Sequence, residues 1–194
     1  MEITSAQLKE LRDYTGISVM QCKKALEEAG GDMDKAKIIL QKKGGEIALK
    51  KSDRALGAGA IGSYVHSTNE VASLVQLSCE TDFVSKNPEF VALAKNIAMH
   101  VAAQAPLYIR RDEVTPEILE KAKEVFMTEV VGKPAEMQEK ILAGKLDAYF
   151  KDRILMEQPY IKDGEKTIGD LVSNAIQKFG ENVVISSITR ISIK

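Results

Sequence analysis

Gly57-Ala58-Gly59-Ala60-Ile61-Gly62-Ser63-Tyr64-Val65, followed by Val71-Ala72-Ser73-Leu74-Val75-Gln76-Leu77-Ser78-Cys79, is the stretch whose reading decides the fold. Its opening matches the G-x-G-x-x-G fingerprint of dinucleotide sites, and Asp82 lies twenty residues after Gly62. That fingerprint needs a strand before it and a helix after it, so that a pyrophosphate meets a helix N-terminus. Here Lys51-Ser52-Asp53-Arg54-Ala55-Leu56 precedes it, and the residues after it are rich in β-formers. Ile61 to Ser67 reads as one strand. Val71, Val75, Leu77 and Cys79 fall two or four apart in a second, with Ser67-Thr68-Asn69-Glu70 as the turn between them. The context is inverted for a nucleotide cradle, and the glycines read as a pliable lead into an antiparallel pair. A dinucleotide-binding enzyme using Gly57, Gly59 and Gly62 is the rival reading, which tight NAD or FAD binding would support.

Downstream, the period changes to that of helices. Asn87-Pro88 is a cap followed by proline at the first helical position. Phe90, Leu93, Ala94, Ile97, Ala98 and Val101 form a stripe that closes before Pro106. Thr115-Pro116-Glu117 opens a helix ending near Gly132. Pro134 begins another, with Gly144 as a break, and Thr167 with Asp170 opens a fourth that Gly180 stops. Val183 to Ile193 is β-branched and largely alternating. Three strands, with helices between the second and the last, give an α+β core.

Upstream, the first fifty residues punctuate themselves into three short helices. Thr4 with Gln7 and Ser18 with Gln21 read as capping boxes, and Asp32 as a third N-cap. Gly16, Gly30-Gly31 and Gly44-Gly45 read as the stops. None of these helices is long enough to persist alone in water, so their apolar faces must pack together. The expected division is a three-helix unit with its linker over 1–54 and an α+β core over 55–194. Lys50-Lys51-Ser52-Asp53-Arg54 is the linker, or an exposed extension of the third helix.

Composition narrows the function. Of 194 residues, 27 are Lys or Arg and 28 Asp or Glu, a net charge of -1 that gives no global field for nucleic acid or an acidic membrane. No apolar run approaches the ~20 residues of a membrane span. The first residues lack the pattern of a secretion signal, and two cysteines are expected as free thiols in a reducing cytoplasm. Cys22, His66, Cys79 and His100 are spaced 44, 13 and 21 residues apart, without paired metal-ligand geometry, so no metal or cofactor is expected. Cys79 shares an alternating face with Val75 and Leu77, which favours packing over a role as nucleophile. Lys42, Lys43, Lys50 and Lys51 would serve an RNA binder, whose affinity would fall steeply with salt.

Three features point to a partner. Val19 and Met20 stand at a helix start beside a loop, flanked by Arg12 and Lys23. They read as an exposed apolar patch with a charged border, or as a staple for the helix end. His100 borders the stripe of Leu93 and Ile97 and reads as a boundary histidine or a surface contact. Thr81-Asp82-Phe83-Val84 puts a large aromatic at a strand-to-helix junction. Its ring either folds back over the core or protrudes as a wedge into a partner.

Taken together these stretches resemble the bacterial elongation factor Ts family. The resemblance rests on Leu11-Arg12-Asp13-Tyr14-Thr15-Gly16, Met20-Gln21-Cys22-Lys23-Lys24-Ala25-Leu26 and Cys79-Glu80-Thr81-Asp82-Phe83-Val84. Ala98-Met99-His100-Val101-Ala102, Gln158-Pro159-Tyr160 and Gly180-Glu181-Asn182-Val183 extend it to the C-terminus. It implies a ubiquitin-associated-like three-helix domain and a core of a three-stranded antiparallel sheet packed with helices. It implies guanine nucleotide exchange on elongation factor Tu, a GTPase, without enzymatic chemistry. Thr81, Asp82, Phe83 and Val84 would insert near that partner's magnesium site. Arg12, Val19, Met20, Lys23 and His100 would contact its nucleotide domain. Longer members carry two core subdomains and a coiled-coil insertion. This chain has room for one core unit and is similar to the short form, which works as a two-fold dimer, with an exposed sheet edge as the expected place of pairing. Position 19 is Val where the family often has Met.

Overall fold

A computed structural model describes residues 3–130 and 134–193. The order is three helices, a β-hairpin, a run of helices interrupted by a small two-stranded element, and a last strand. Helices α1 (Ser5–Thr15), α2 (Val19–Glu28) and α3 (Met33–Lys51) share an apolar cluster centred on Leu11, Ile17, Leu26, Ala36 and Leu40. The Thr4 capping box forms, with Thr4 Oγ1 accepting from the Gln7 amide at 3.2 Å and Gln7 Oε1 accepting from the Thr4 amide at 3.1 Å. Asp32 caps α3 by accepting from the amides of Asp34 and Lys35, both at 3.0 Å.

Two expectations fail here for identifiable reasons. Ser18 stands at the N-cap of α2, but its side chain makes no capping bond. Gln21, its expected reciprocal partner, instead accepts from the amide nitrogen of Gln177 at 2.6 Å. Nor do Gly44 and Gly45 stop α3, which runs on to Lys51. A Cβ at position 44 would lie 3.4 Å from Gln177 Oε1, so the missing side chain lets α3 approach the helix that carries Gln177. Tertiary packing outweighs the glycine penalty of about 1 kcal/mol.

Strands β1 (Ala58–Val65), β2 (Val71–Cys79) and β5 (Val183–Ser192) form an antiparallel sheet in the order β1-β2-β5. The α+β architecture expected from the sequence is therefore present. Helix α5 (Pro88–Gln104) covers one face of the sheet, with Phe90, Ala94, Ile97 and Val101 buried against Val75 and Leu77. Asn87 caps it by accepting from the Glu89 amide at 2.9 Å. Helix α8 (Ile168–Phe179) starts at the expected Thr167–Asp170 capping box and ends at Gly180 with φ 72°. It joins the same core and packs along α3.

Helices α6 (Pro116–Val130) and α7 (Ala135–Lys151) make a hairpin with its own small core of Leu146, Phe150 and Ile154. Gly144 does not break α7, and the helix end expected near Gly132 lies outside the described residues. Strands β3 (Pro159–Tyr160) and β4 (Asp163–Thr167), too short and polar to show a period, were not expected.

The first three helices are tied to the core at several points. Lys166 stacks its ammonium 3.6 Å from the Tyr14 ring centroid, and Gln41 donates to Asp170 at 2.6 Å. Ile47 and Ala48, at the far end of α3, pack against the main core.

Candidate partner-binding site

Between β2 and α5 lies one helical turn, α4 (Asp82–Ser85), with Thr81 at its N-cap. The amides of Ser85 and Lys86 close the turn on the carbonyls of Thr81 and Asp82 at 3.2 and 3.1 Å. Neighbouring residues of this turn go opposite ways. Phe83 is 83% exposed, whereas Val84 is 4% exposed and belongs to the core. The ring therefore does not fold back over the core; it stands in solvent on a buried root. Val84 holds that root, so its side chain cannot enter another molecule without leaving its own fold. Asp82 pairs with Lys86 at 2.7 Å, and that bond holds its carboxyl below the usual range.

A brace of carboxylates surrounds the turn. Glu181, just past the end of α8, accepts through Oε2 from the amides of Glu80 at 3.1 Å and Thr81 at 3.0 Å. Its Oε1 accepts from the Thr81 hydroxyl at 2.5 Å. In return Glu80 accepts from the Asn182 amide at 2.6 Å, which with the nearby Arg54 lowers its pKa. Single-sequence reasoning missed this brace because its partners stand 100 residues apart and no local period relates them.

Val19 and Met20 are 43% and 70% exposed at the start of α2, with Arg12 and Lys23 also exposed beside them in the chain. The staple reading fails for Met20, whose side chain is largely free. His100 departs furthest from expectation: it is fully buried, not at a boundary. The Gln158 amide nitrogen donates to the Asp152 carbonyl at 2.6 Å, which leaves its oxygen facing His100 Nε2 at 2.9 Å. Nε2 therefore carries the proton, and Nδ1 accepts from the Ile161 amide at 3.4 Å. His100 joins α5 to the β3–β4 element, and its ring reaches no surface.

Burial lowers the His100 pKa, against the smaller opposing effect of the Gln158 bond. Between the folded and unfolded values the unfolded chain binds the extra proton, so stability rises with pH across that window. Acidification below the ordinary histidine range near ~6.5 withdraws this contribution. We expect the His100 ring signal in an NMR titration to stay that of a neutral imidazole down through that pH. A midpoint at or above it would contradict the buried assignment.

The rival sites do not assemble. Gly59 and Gly62 lie inside edge strand β1, and no helix follows them directly. Lys43 pairs with Glu28 at 2.5 Å and Lys51 donates to the Gly180 carbonyl, so two of the four lysines of an RNA patch are engaged elsewhere. Cys22 and Cys79 are buried free thiols in separate cores, with pKa values raised by burial. Among the described residues no cluster of His, Cys, Asp and Glu could hold a metal, and no helix is long and apolar enough to cross a membrane.

A family model described as elongation factor TS matches residues 8–193. The chain belongs to the elongation factor Ts family. Proteins named elongation factor Ts from Thermotoga petrophila and Geobacter metallireducens are 47% and 45% identical over 193 and 195 residues. Each alignment spans all of this chain, and 97% and 90% of the relative. The elongation factor Ts of Thermotoga maritima is 46% identical over 193 residues, with 97% of its length covered. Membership in the elongation factor Ts family makes this chain a factor of translation elongation in protein biosynthesis.

Proposed function

We propose that this protein is a guanine nucleotide exchange factor for elongation factor Tu, acting in the cytoplasm, and that Phe83 is the group that opens the partner. The observation that carries this reading is an aromatic ring 83% exposed on a turn rooted in the core. Phenylalanine is among the aromatic residues enriched at protein interfaces, and this one is held out on a base that is fixed in the core. Mg2+ holds nucleotide phosphates in near-ideal octahedral geometry at about 2.1 Å, so a small displacement of the elements around it is enough to break coordination. Thr81, Asp82 and Phe83 enter beside that site, with Val84 as the root. Arg12, Val19, Met20 and Lys23 grip the nucleotide domain from the three-helix unit, 1–54, while 55–194 forms the platform. Coupling is reciprocal, so incoming nucleotide weakens the factor's hold and releases it for another cycle. No bond is made or broken, and the protein is not an enzyme in the covalent sense. Mixing it with elongation factor Tu loaded with fluorescent GDP should accelerate GDP release catalytically; an unchanged release rate would refute the proposal.

The same reading includes a homodimer. The sheet face away from α5 carries the rows Ile61-Gln76-Ser187, Ser63-Leu74-Thr189 and Val65-Ala72-Ile191, with no charged residue among them. Ile61, Val65, Leu74 and Ile191 are 62%, 62%, 49% and 67% exposed. This puts the apolar surface on the face of the sheet rather than at its edge, and two such faces can stack about 10 Å apart. Leu74→Lys puts a charge at the centre of that face. It should shift sedimentation from dimer to monomer while leaving the fold intact, and a dimeric L74K protein would exclude this face.

A further inference from the structure

We propose that Glu181 is a positioning residue for Phe83, fixing the turn that presents the ring to the partner. The proposal rests on the reading of Phe83 as the opening group. A four-residue helix has almost no stability of its own, and Thr81 at the N-cap of this one makes no side-chain capping bond, so the turn depends on what fixes the chain entering it. Glu181 accepts from the amides of both Glu80 and Thr81 and from the Thr81 hydroxyl. One carboxylate therefore pins both backbone and side chain immediately before Asp82 and Phe83.

The brace is held from both sides. Glu80 returns a bond to the Asn182 amide, so the two acidic residues lock the β2–α4 loop and the α8–β5 turn to each other. The Asn182 side chain donates to the carbonyls of Ser52 and Arg54, each at 3.4 Å, and Lys51 donates to the Gly180 carbonyl. The same turn thus also holds the segment that leaves α3. Behind the loop, the Cys79 thiol donates to the Thr81 carbonyl at 3.2 Å. The Thr81, Asp82 and Ser85 side chains are hydrogen-bonded and Val84 is buried, and the exposed Phe83 ring stands on this base. A wedge works only if its base does not yield, and an error of about 1 Å in placement can cost up to about 100-fold in a geometry-dependent step.

The test is a double-mutant cycle read by GDP release from elongation factor Tu, together with amide hydrogen exchange of the free protein. Glu181→Ala should keep its melting transition, expose the Glu80 and Thr81 amides to fast exchange, and slow stimulated GDP release about tenfold or more. Glu181→Gln retains an amide acceptor and should restore most of the rate. In a Phe83→Ala background, Glu181→Ala should produce no further loss, because it acts through the ring. Additive losses in that background, or unchanged protection of the Glu80 and Thr81 amides, would overturn the proposal. If Phe83→Ala alone releases GDP at the wild-type rate, the wedge reading fails, while the exchange measurement still decides whether Glu181 holds the turn.

Discussion

Phe83→Ala is expected to reduce stimulated GDP release from elongation factor Tu by about 30-fold and to leave the melting temperature within about 1 °C of wild type. The two halves of this expectation have one structural origin. The ring is 83% exposed and belongs to none of the three apolar clusters, so removing it opens no cavity. Surface substitutions of that kind usually change stability by less than about 0.5 kcal/mol. On the proposed reading the same ring becomes a buried anchor in the complex, where truncation typically costs about 2 kcal/mol or more, a factor of about 30. Val84→Ala separates the neighbours: it should lower the melting temperature, since Val84 is in the core, where Phe83→Ala should not. An F83A protein that unfolds readily, or that exchanges nucleotide at the full rate, would be inconsistent with the exposed-wedge geometry.

The second large effect is on the fold. Gly62→Val should destabilise the protein by about 3 kcal/mol or more, lowering the melting temperature by roughly 10 °C. Gly62 lies on the face of β1 that α5 covers, and a Cβ there would fall on the Ala94 carbonyl and the Lys95 amide. The obstacle is helix backbone, which cannot rotate away as a flexible side chain would. Helix α5 would have to lift, and Phe90, Ala94, Ile97 and Val101 would lose their packing on β2. Gly45→Ala is the matched control: nothing lies within 4 Å of its Cβ inside α3, so it should be neutral or stabilising by up to about 1 kcal/mol. Thermal melts of the two variants decide the matter, and a G62V protein as stable as G45A would mean that α5 does not rest on β1.

The contrast between these glycines shows how far a single sequence can be read. The pattern G-x-G-x-x-G is the same whether glycine admits a phosphate or a helix, and only its flanks told them apart; the strand expected over Ile61 to Ser67 runs Ala58–Val65, so Gly59 and Gly62 lie within it rather than leading into it. The hairpin was legible because alternation over Val71 to Cys79 is a local property, and β2 has those bounds. So were the caps at Thr4, Asp32, Asn87 and Thr167, which act within three residues. The course of α3 through Gly44 was not, because the reason lies on α8, far along the chain. His100 failed similarly: periodicity placed it beside the stripe, but Gln158 and Ile161, on either side of the two-residue strand β3, cover it from a stretch too short to announce itself. At the site, the residue types of Thr81 to Val84 were conspicuous, yet that Phe83 faces solvent while Val84 enters the core is a matter of tertiary packing that no local pattern shows.

The most direct measurement places a photo-reactive benzophenone side chain at position 83 and maps its cross-links to elongation factor Tu loaded with GDP and Mg2+. The wedge account predicts cross-links concentrated on the segments that surround the partner's magnesium, in competition with unlabelled wild-type protein. Cross-links confined to a different surface of the partner, or none at all from a protein that still accelerates GDP release, would contradict it.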